Sequence, residues 1–321
     1  MSNLRARAAT ISAVLTIAIY AGCGDPTGPD ALVWRLVQSP ADGPVTGISG
    51  TSSSDVWAVG WDGVFHFNGA TWSKVQTGFA HIPTDVWART PSDVWIVGTD
   101  GIDPNAHGFP TILHYNGTVW SITSSPTLDL LTGVWSSSGS DVWAVSHSGE
   151  IAHYDGTSWT SDASQTNVWL KAIWGTSASD VWAAGDDALL HYNGSRWSQV
   201  LSPFQVWGLW GTSPSDVWMV GFPELVLHYD GSAWSSMESG FGDSGALAVW
   251  ASSPSNVWVA GKEEGPVDDT CCAKMVHYNG TSWSDVPLAA NTPFIIALWG
   301  SSASDVWAAS RDGIYHGTHA R

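Results

Sequence analysis

The sequence predicts an all-β chain made of seven four-stranded antiparallel sheets, and three observations support this prediction. First, a Ser-Asp-Val-Trp motif followed by small and apolar residues recurs seven times, once with Asn in place of Asp. Second, a His-Tyr-Asn/Asp-Gly element with a later Trp follows most copies, and no helical period is present after Cys23. Third, the two ends of the array carry complementary parts of one repeat. The copies of the motif lie 36 to 49 residues apart. This spacing is typical of arrays in which each unit is a small sheet.

The Asp or Asn of the motif marks each repeat. It occurs at Asp55, Asp93, Asp141, Asp180, Asp216, Asn256 and Asp305. The unit at 206–234 illustrates the predicted strands: an apolar strand at 206–211, a polar turn, a second strand at 217–220 and a third at 225–229. Asp230-Gly231 then predicts a two-residue hairpin turn with positive φ angles, which leads into a fourth strand with Trp234.

The last repeat stops after its third strand, at 313–318, without an Asn-Gly turn or a fourth-strand Trp. Residues 31–37, with Trp34, match a fourth strand such as 70–75. We therefore expect the N-terminal strand to complete the last blade, which closes the ring and removes the exposed sheet edges that an open array would leave. The predicted fold is a seven-bladed β-propeller over residues 31–321.

The segment Asn193-Gly194-Ser195-Arg196-Trp197 and its counterparts resemble Trp-rich SDVW-type propeller repeats of bacterial lipoproteins, and are distantly similar to Asp-box (BNR) repeats. The resemblance implies the fold but no activity, because propellers host unrelated functions. A sialidase-like site would need an arginine cluster with a Tyr nucleophile and an acid. The arginines after the leader are Arg35, Arg89, Arg196, Arg311 and Arg321, so no catalytic residue is carried over.

Residues 1–22 have the pattern of an export signal, with Arg5 and Arg7 followed by an apolar run at 8–20. The run ends in Tyr20-Ala21-Gly22-Cys23, which resembles a bacterial lipobox. The resemblance implies cleavage before Cys23, acylation of Cys23 with fatty acids such as palmitate, and a tether at 23–30. Because residue 24 is not Asp, it also implies the outer membrane, on its periplasmic or its outer side. The alternatives are an ordinary secretory signal and an uncleaved anchor.

The composition limits the partners that the chain can bind. The formal charge is −18 and only 12% of residues are charged. Nucleic acid and anionic lipid surfaces both attract Lys and Arg, so we expect no nucleic-acid partner and membrane contact through the lipid anchor only. We expect the chain to be a monomer.

Repetition itself indicates structural roles for the repeated Asp, His and Trp, since one active site does not need seven copies. The histidines are His66, His114, His153, His191, His228, His277 and His316. A histidine ring could sense pH or hold a metal, but we expect each His to pack between blades and to bond the repeated Asp. The repeated Trp residues are expected to fill the core between blades.

Two insertions break the symmetry, at 98–111 and 261–274, and both lie between second and third strands. In an antiparallel meander these loops share one face with the connectors between blades, and we call it the insertion face. Several connectors carry an aromatic residue, which makes these rings candidates for ligand binding. They are Phe79, Trp169, Phe204, Phe241 and Phe294. The alternative is that the rings cover the ends of the core.

The second insertion combines acids with adjacent cysteines, Cys271 and Cys272. These cysteines could form a vicinal disulfide, an intermolecular bridge or two free thiols. The acids, which could hold Ca²⁺ or form a solvated loop, are Glu263, Glu264, Asp268 and Asp269. We assign no metal site and no cofactor.

The sequence predicts a non-catalytic binding scaffold for an envelope glycan or protein. One alternative is a polysaccharide hydrolase or lyase that uses acids of the insertion face, at Asp100, Asp103, Glu263 or Asp268. A third interpretation is a purely structural assembly factor.

Overall fold

The computed structural model describes residues 32–37, 41–100, 108–127, 129–162, 164, 166–201, 205–223, 225–242, 245–263 and 272–319. These residues form seven four-stranded antiparallel sheets arranged as blades of a β-propeller, as the sequence predicts. In these ranges, no helix is long and apolar enough to cross a bilayer. The leader, Cys23 and the tether lie outside the described residues.

Each blade runs from an inner strand at the axis to an outer strand at the rim. The chain begins with β1 (Leu32–Leu36), which belongs to the last blade. Blade 1 contains β2 (Val45–Ser52), β3 (Asp55–Gly60), β4 (Gly63–Phe67) and β5 (Trp72–Val75). Blade 2 contains β6 (Ile82–Thr90), β7 (Asp93–Thr99), β8 (Pro110–Tyr115) and β9 (Trp120–Ser124). Blade 3 contains β10 (Leu131–Ser138), β11 (Asp141–Ser146), β12 (Ile151–Tyr154) and β13 (Trp159–Asp162).

The remaining blades repeat this order. Blade 4 contains β14 (Leu170–Ser177), β15 (Asp180–Gly185), β16 (Ala188–Tyr192) and β17 (Trp197–Leu201). Blade 5 contains β18 (Gln205–Ser213), β19 (Asp216–Phe222), β20 (Leu225–Tyr229) and β21 (Trp234–Ser236). Blade 6 contains β22 (Gly245–Ser253), β23 (Asn256–Lys262), β24 (Ala273–Tyr278) and β25 (Trp283–Asp285). Blade 7 contains β26 (Ile295–Ser302), β27 (Asp305–Ser310) and β28 (Gly313–His319), completed by β1.

The N-terminal strand closes the ring, as predicted. β1 pairs antiparallel with β28, with Trp34 opposite Gly317. The Trp34 indole lies so close that a Cβ on Gly317 would be 2.8 Å from it. Gly317 therefore leaves space for the Trp34 indole, which packs β1 against β28 in the last blade.

One aromatic contact recurs at all seven junctions between blades. The Trp of each second strand meets the outer-strand Trp of the next blade edge to face, as in Trp57 with Trp120 at 5.8 Å between centroids. The junctions formed by Trp258 with Trp34, and by Trp307 with Trp72, have the same geometry at 5.7 and 5.6 Å. The predicted packing of the repeat Trp residues between blades is therefore confirmed at these positions.

The predicted two-residue hairpin turn is wrong in detail. Third and fourth strands are joined by four residues, as between Phe67 and Trp72, and only the glycine has a positive φ, 91° at Gly69. The side chain of Asn68 accepts the backbone N–H groups of Ala70 and Thr71 at 3.0 Å. The Asn or Asp of each turn thus caps its own backbone instead of adopting a left-handed conformation.

Each inner strand contains a β-bulge near its start, beside the axis of the propeller. Each inner strand shifts its register against the second strand near its start, in blade 1 between Val45 and Gly47. Such a bulge leaves one extra residue unpaired, here Thr46, and redirects its side chain. All seven inner strands share this bulge, so seven extra residues encircle the axis.

Candidate functional site

The repeated acids and histidines are structural. In six blades the His Nε2 lies 2.6–2.8 Å from the Asp Oδ1. In five blades the other carboxylate oxygen accepts a hydroxyl from four residues earlier, as from Thr51 to Asp55, and in blade 2 it accepts Arg89 Nε at 2.6 Å. Burial opposes ionisation, but these bonds outweigh it and lower the pKa of Asp55 and of its five counterparts.

Each histidine also stacks on the Trp of the second strand, with centroids 3.7–4.2 Å apart in the seven blades. These contacts confirm the predicted Asp–His bonds in the six blades with Asp. In blade 6, Asn256 accepts the Trp258 indole N–H at 3.0 Å, while His277 Nε2 has no hydrogen-bond partner in the part of the chain described. Burial lowers the pKa of His277. Across the described ranges, no three His, Cys, Asp or Glu residues are grouped to hold a metal.

The candidate aromatic residues occupy different environments. Phe79 is exposed on its connector, and Trp169 and Phe294 are half-buried where their connectors reach the axis. Phe241 does not reach the surface: it is fully buried against blade 6, so for this residue the structure supports the alternative role of covering the core. Phe204 lies outside the described residues.

Sequence analysis missed three exposed rings of the insertion face. Trp61 follows β3, Phe109 precedes β8 and Phe222 ends β19, so all three lie between second and third strands. Their exposed fractions are 57%, 79% and 42%. The sequence contains the signal for these rings, because loops between second and third strands share a face with the connectors.

A cavity of about 520 Å³ lies on the axis and is lined by all seven inner strands. Its mouth includes Leu130, Trp169 and Phe294, which precede inner strands and therefore face the insertion side. Below them comes the layer of bulge residues: Thr46, Thr84, Thr132, Lys171, Trp207, Leu247 and Ile296. The upper cavity is thus polar along blades 1 to 4 and apolar along blades 5 to 7.

Asp85 is the acid of this cavity. One carboxylate oxygen accepts the N–H of Val86 at 2.8 Å, and the other accepts the N–H of Val134 in the next blade at 2.9 Å. Burial raises the pKa of Asp85 to about 6, and these two backbone bonds only partly offset the effect. Gly47 makes room for the carboxylate, because a Cβ there would lie 3.0 Å from its Oδ1.

Lys171 is the basic residue of the cavity, and it is held in place. Its Nζ lies 2.5 Å from Asp186 Oδ1, 3.7 Å from the centre of the Trp207 ring and 4.6 Å from that of Trp169. The two Trp rings meet edge to face at 5.6 Å. A desolvated cation on two aromatic faces is a stabilising arrangement. Lys171, Trp169 and Trp207 therefore form one packed cluster in the cavity wall.

Two tryptophans close the far end of the cavity. Trp87 and Trp210, from blades 2 and 5, meet across the axis with centroids 6.1 Å apart. At the same repeat position, four other Trp rings lie against a glycine of the next blade, as Trp174 lies against Gly211. Opposite Trp87 and Trp210 the repeat has Ser136 and Ala251 in place of that glycine, and the Trp210 indole N–H donates to the Ala251 carbonyl at 3.0 Å. The two rings therefore lie on the axis.

A second depression of about 420 Å³ adjoins the mouth between blades 5 and 7 and shares Trp207 and Phe294 with the cavity. Its lining also includes Phe222, Lys262 and Arg311. The insertion face therefore has a continuous concave region with aromatic walls.

Of the acids of the enzyme alternative, Asp100 and Glu263 lie within the described residues, and they belong to blades 2 and 6. Asp100 accepts the backbone N–H of Phe109 at 2.6 Å, which holds the base of the first insertion. Glu263 lies by the second insertion, next to half-buried Cys272. Asp103, Glu264, Asp268, Asp269 and Cys271 lie outside the described residues, so the disulfide and the Ca²⁺ alternative stay predictions.

No family model matches the chain, and no curated protein is a significant relative by sequence. The fold is similar to solved propellers. A structure of YCF48 bound to D1 peptide has 15% identity and a TM-score of 0.69, covering 90% of this chain and 97% of that one. A streptogramin B lyase has 13% identity and a TM-score of 0.70, covering 90% and 98%. A GH74 xyloglucanase from Xanthomonas campestris has 14% identity and a TM-score of 0.69, covering 88% of this chain and 53% of that one. At these identities the likeness shows the fold alone.

Proposed function

We propose that the chain is a non-catalytic binding scaffold, and that a glycan or protein partner docks on the insertion face over the mouth of the axial cavity. The observation that carries the proposal is the concentration of exposed rings on this face, from Trp61, Phe79, Phe109 and Phe222, around a concave centre. Exposed aromatic rings are costly in water and are common anchors of interfaces, where they fill pockets of the partner.

The opposite face differs in a way that supports the proposal. Its turns between third and fourth strands use their Asn or Asp side chains to cap their own backbone, as Asn193 accepts the N–H groups of Ser195 and Arg196. These polar groups are engaged within the turn. Among the described residues, the exposed aromatic rings lie on the insertion face.

One of the solved neighbours is bound to a peptide, and another is a xyloglucanase. Neighbours of this fold thus include a peptide-bound protein and a glycan-acting enzyme, which supports keeping both partner classes in the proposal. The experiment described next distinguishes a glycan partner from a protein partner.

The test compares the wild type with a variant that combines Trp61→Ser, Phe109→Ser and Phe222→Ser. Both are applied to a glycan array and to envelope proteins separated from the producing cell. We expect binding by the wild type and a loss of about tenfold or more in the variant, because these rings supply the buried contact. Val119→Ser is the matched control, since Val119 is equally exposed, at 59%, but lies on the opposite face. Equal binding by all three proteins would contradict the proposal.

We also propose that the chain is exported and held at the outer membrane by a lipid on Cys23. The pattern of residues 1–23 supports this proposal. Growth with a clickable palmitate analogue should label the wild type and leave Cys23→Ala unlabelled. A wild-type protein without label would remove the anchor from the proposal but not the binding face.

A further inference from the structure

We propose that the axial cavity binds a primary ammonium or guanidinium group carried on an apolar stem, and that the carboxylate of Asp85 receives this cation. The inference rests on the proposed function, because a ligand enters the cavity from the insertion face. It assigns a chemical class to the group that enters the cavity.

The repeat shows that Asp85 is dispensable for the blade itself. At the equivalent position of the inner strand, the other six blades have only glycine or alanine. These residues are Gly47, Gly133, Ala172, Gly208, Ala248 and Ala297. Six copies fold with no side-chain charge here, so the seventh does not need one to form its strand. A carboxylate placed in this ring of small residues adds a charge to the cavity wall.

The charge of Asp85 has no cationic partner within the described structure. Its oxygens accept two backbone N–H groups, from Val86 and Val134. Each carboxylate oxygen can accept a second hydrogen bond, and Asp85 lines the cavity. Asp85 is half-buried, and a partly desolvated carboxylate without a counter-ion is costly, so a cation from outside would offset that cost.

The other charged residue of the cavity wall does not fill this role. The ammonium group of Lys171 is paired with Asp186 and lies over the Trp207 ring. The charge of Lys171 is therefore balanced by Asp186 within the protein. An anionic ligand would find this cation already neutralised and would meet the carboxylate of Asp85 deeper in the cavity.

The wall opposite the acid suits an apolar stem. Trp207, Leu247 and Ile296 form the apolar arc of the upper cavity, and Trp87 and Trp210 close its end. A volume of about 520 Å³ lies within the range of small-ligand pockets, which combine apolar walls with a few placed polar groups. The net charge of −18 also favours the approach of cations over anions.

The experiment uses the full-length protein as the cell produces it, and isothermal titration calorimetry with small compounds of one shape. The cation is 2-phenylethylamine, the neutral isostere is 2-phenylethanol and the anion is 3-phenylpropionate. A blocked Ala-Lys-Ala peptide and its Nε-acetylated form are the arm that represents a partner's side chain. Asp85→Ala is the test variant, because alanine is native at this position in three other blades. Asp42→Ala removes the same charge from an exposed connector and is the matched control.

We expect 2-phenylethylamine or the lysine peptide to bind the wild type and Asp42→Ala alike, and to bind Asp85→Ala about tenfold more weakly or worse. Binding of the free amine alone assigns the site to a small molecule, and binding of the peptide alone assigns it to a partner's side chain. The neutral and anionic compounds should bind more weakly than the amine.

Binding should also weaken as the pH falls from about 8 to about 5, since protonation removes the charge of Asp85. The strands packed against Asp85 present Thr46, Gly47, Thr132 and Val134, none of which titrates in this range. Lys171 with Asp186 lines the same cavity, and His147 packs on Trp169 at the mouth. The pH dependence that remains in Asp85→Ala belongs to these groups, so binding should fall more steeply with pH in the wild type than in this variant.

Equal affinity for the amine and the alcohol, unchanged affinity in Asp85→Ala, or no binding of either cation at millimolar concentration would overturn the inference. These outcomes are separate from the fate of the proposed function. An envelope partner that binds Asp85→Ala as well as the wild type, while no cation binds, leaves the docking face in place and removes only the cation site.

Discussion

Asp180 represents the repeated acid at its simplest, because it bonds His191 at 2.7 Å and also accepts the Thr176 hydroxyl. Replacement by Asn keeps the size but removes the charged acceptor. We expect Asp180→Asn to lower the free energy of unfolding by about 1–3 kcal/mol in urea titrations at neutral pH. Asn256→Asp is the reciprocal control, since it offers His277 the acceptor that blade 6 lacks, and it should not destabilise. A variant as stable as the wild type would show that the bond contributes nothing.

The same pair has a defined pH dependence. Although burial raises it, the pKa of Asp180 is lowered overall by its hydrogen bonds. Its contribution is therefore present above the unfolded pKa of about 3.9 and is lost as the pH falls through the lower folded value. The stability gap between the wild type and Asp180→Asn should close at pH below about 4.

Asp85 should show the opposite sign. Its pKa is raised to about 6, so between about pH 4 and 6 the folded state holds a proton that the unfolded state has released. Stability should therefore fall as the pH rises through this window. Relative to Asp85→Ala, the free energy of unfolding of the wild type should fall by up to about 3 kcal/mol between about pH 4 and pH 6, measured by urea unfolding. A constant difference would mean that the carboxylate is not buried in the folded protein.

At the scale of residues, the sequence predicts whatever is repeated. The Asp–His bond follows from seven in-phase copies and the polar chemistry of both side chains. Asp85 was missed because it occurs once, inside an apolar strand. Aligning the seven inner strands by the repeated Asp or Asn would have shown one acid among glycines and alanines, but not that it faces a cavity.

The inner strands predict a test of how the Trp rings are placed. A Cβ on Gly211 would lie 2.5 Å from the Trp174 ring and 2.5 Å from the carbonyl oxygen of Asp216. We expect Gly211→Ala to displace Trp174 and to cost about 1–3 kcal/mol, with a changed tryptophan emission spectrum.

Ala251→Gly is the control for this prediction, because it changes the same repeat position in blade 6, opposite Trp210. It removes a methyl group without a clash, so its cost should stay near 1 kcal/mol or below, the ordinary penalty for glycine in a strand. Equal effects of the two substitutions would contradict the pairing of Trp with glycine.

At the scale of elements, strand order and strand type were predictable, while two details were not. The four-residue turn depends on the Asn68 side chain capping its backbone, which competes locally with the two-residue alternative. The position of Trp87 and Trp210 on the axis depends on Ser136 and Ala251 in neighbouring blades. That contact joins residues about one repeat apart, so no single repeat contains the information.

At the scale of the molecule, the complementary chain ends predicted a closed ring, and the pairing of β1 with β28 confirms it. The cavity could not be predicted in the same way. It exists because seven bulges direct residues such as Thr46 and Trp207 to the axis, while the paired rings of Trp87 and Trp210 block one end. Bulges have no sharp sequence signal, so the site emerges only when all seven blades are assembled.

Ring closure by a strand from the opposite end of the chain makes a final prediction. A chain without residues 1–40 would leave β28 as an unpaired edge and would lose the Trp34–Trp258 contact at 5.7 Å. Exposed edges pair with other chains, so this shortened chain should form oligomers in light scattering. A synthetic peptide of residues 31–40 should restore the monomer, and the same peptide with Trp34→Ala should restore it poorly, because it loses the contacts that half-buried Trp34 makes with Trp258 and Gly317. A shortened chain that remains monomeric and as stable as the wild type would show that β1 does not hold the ring closed.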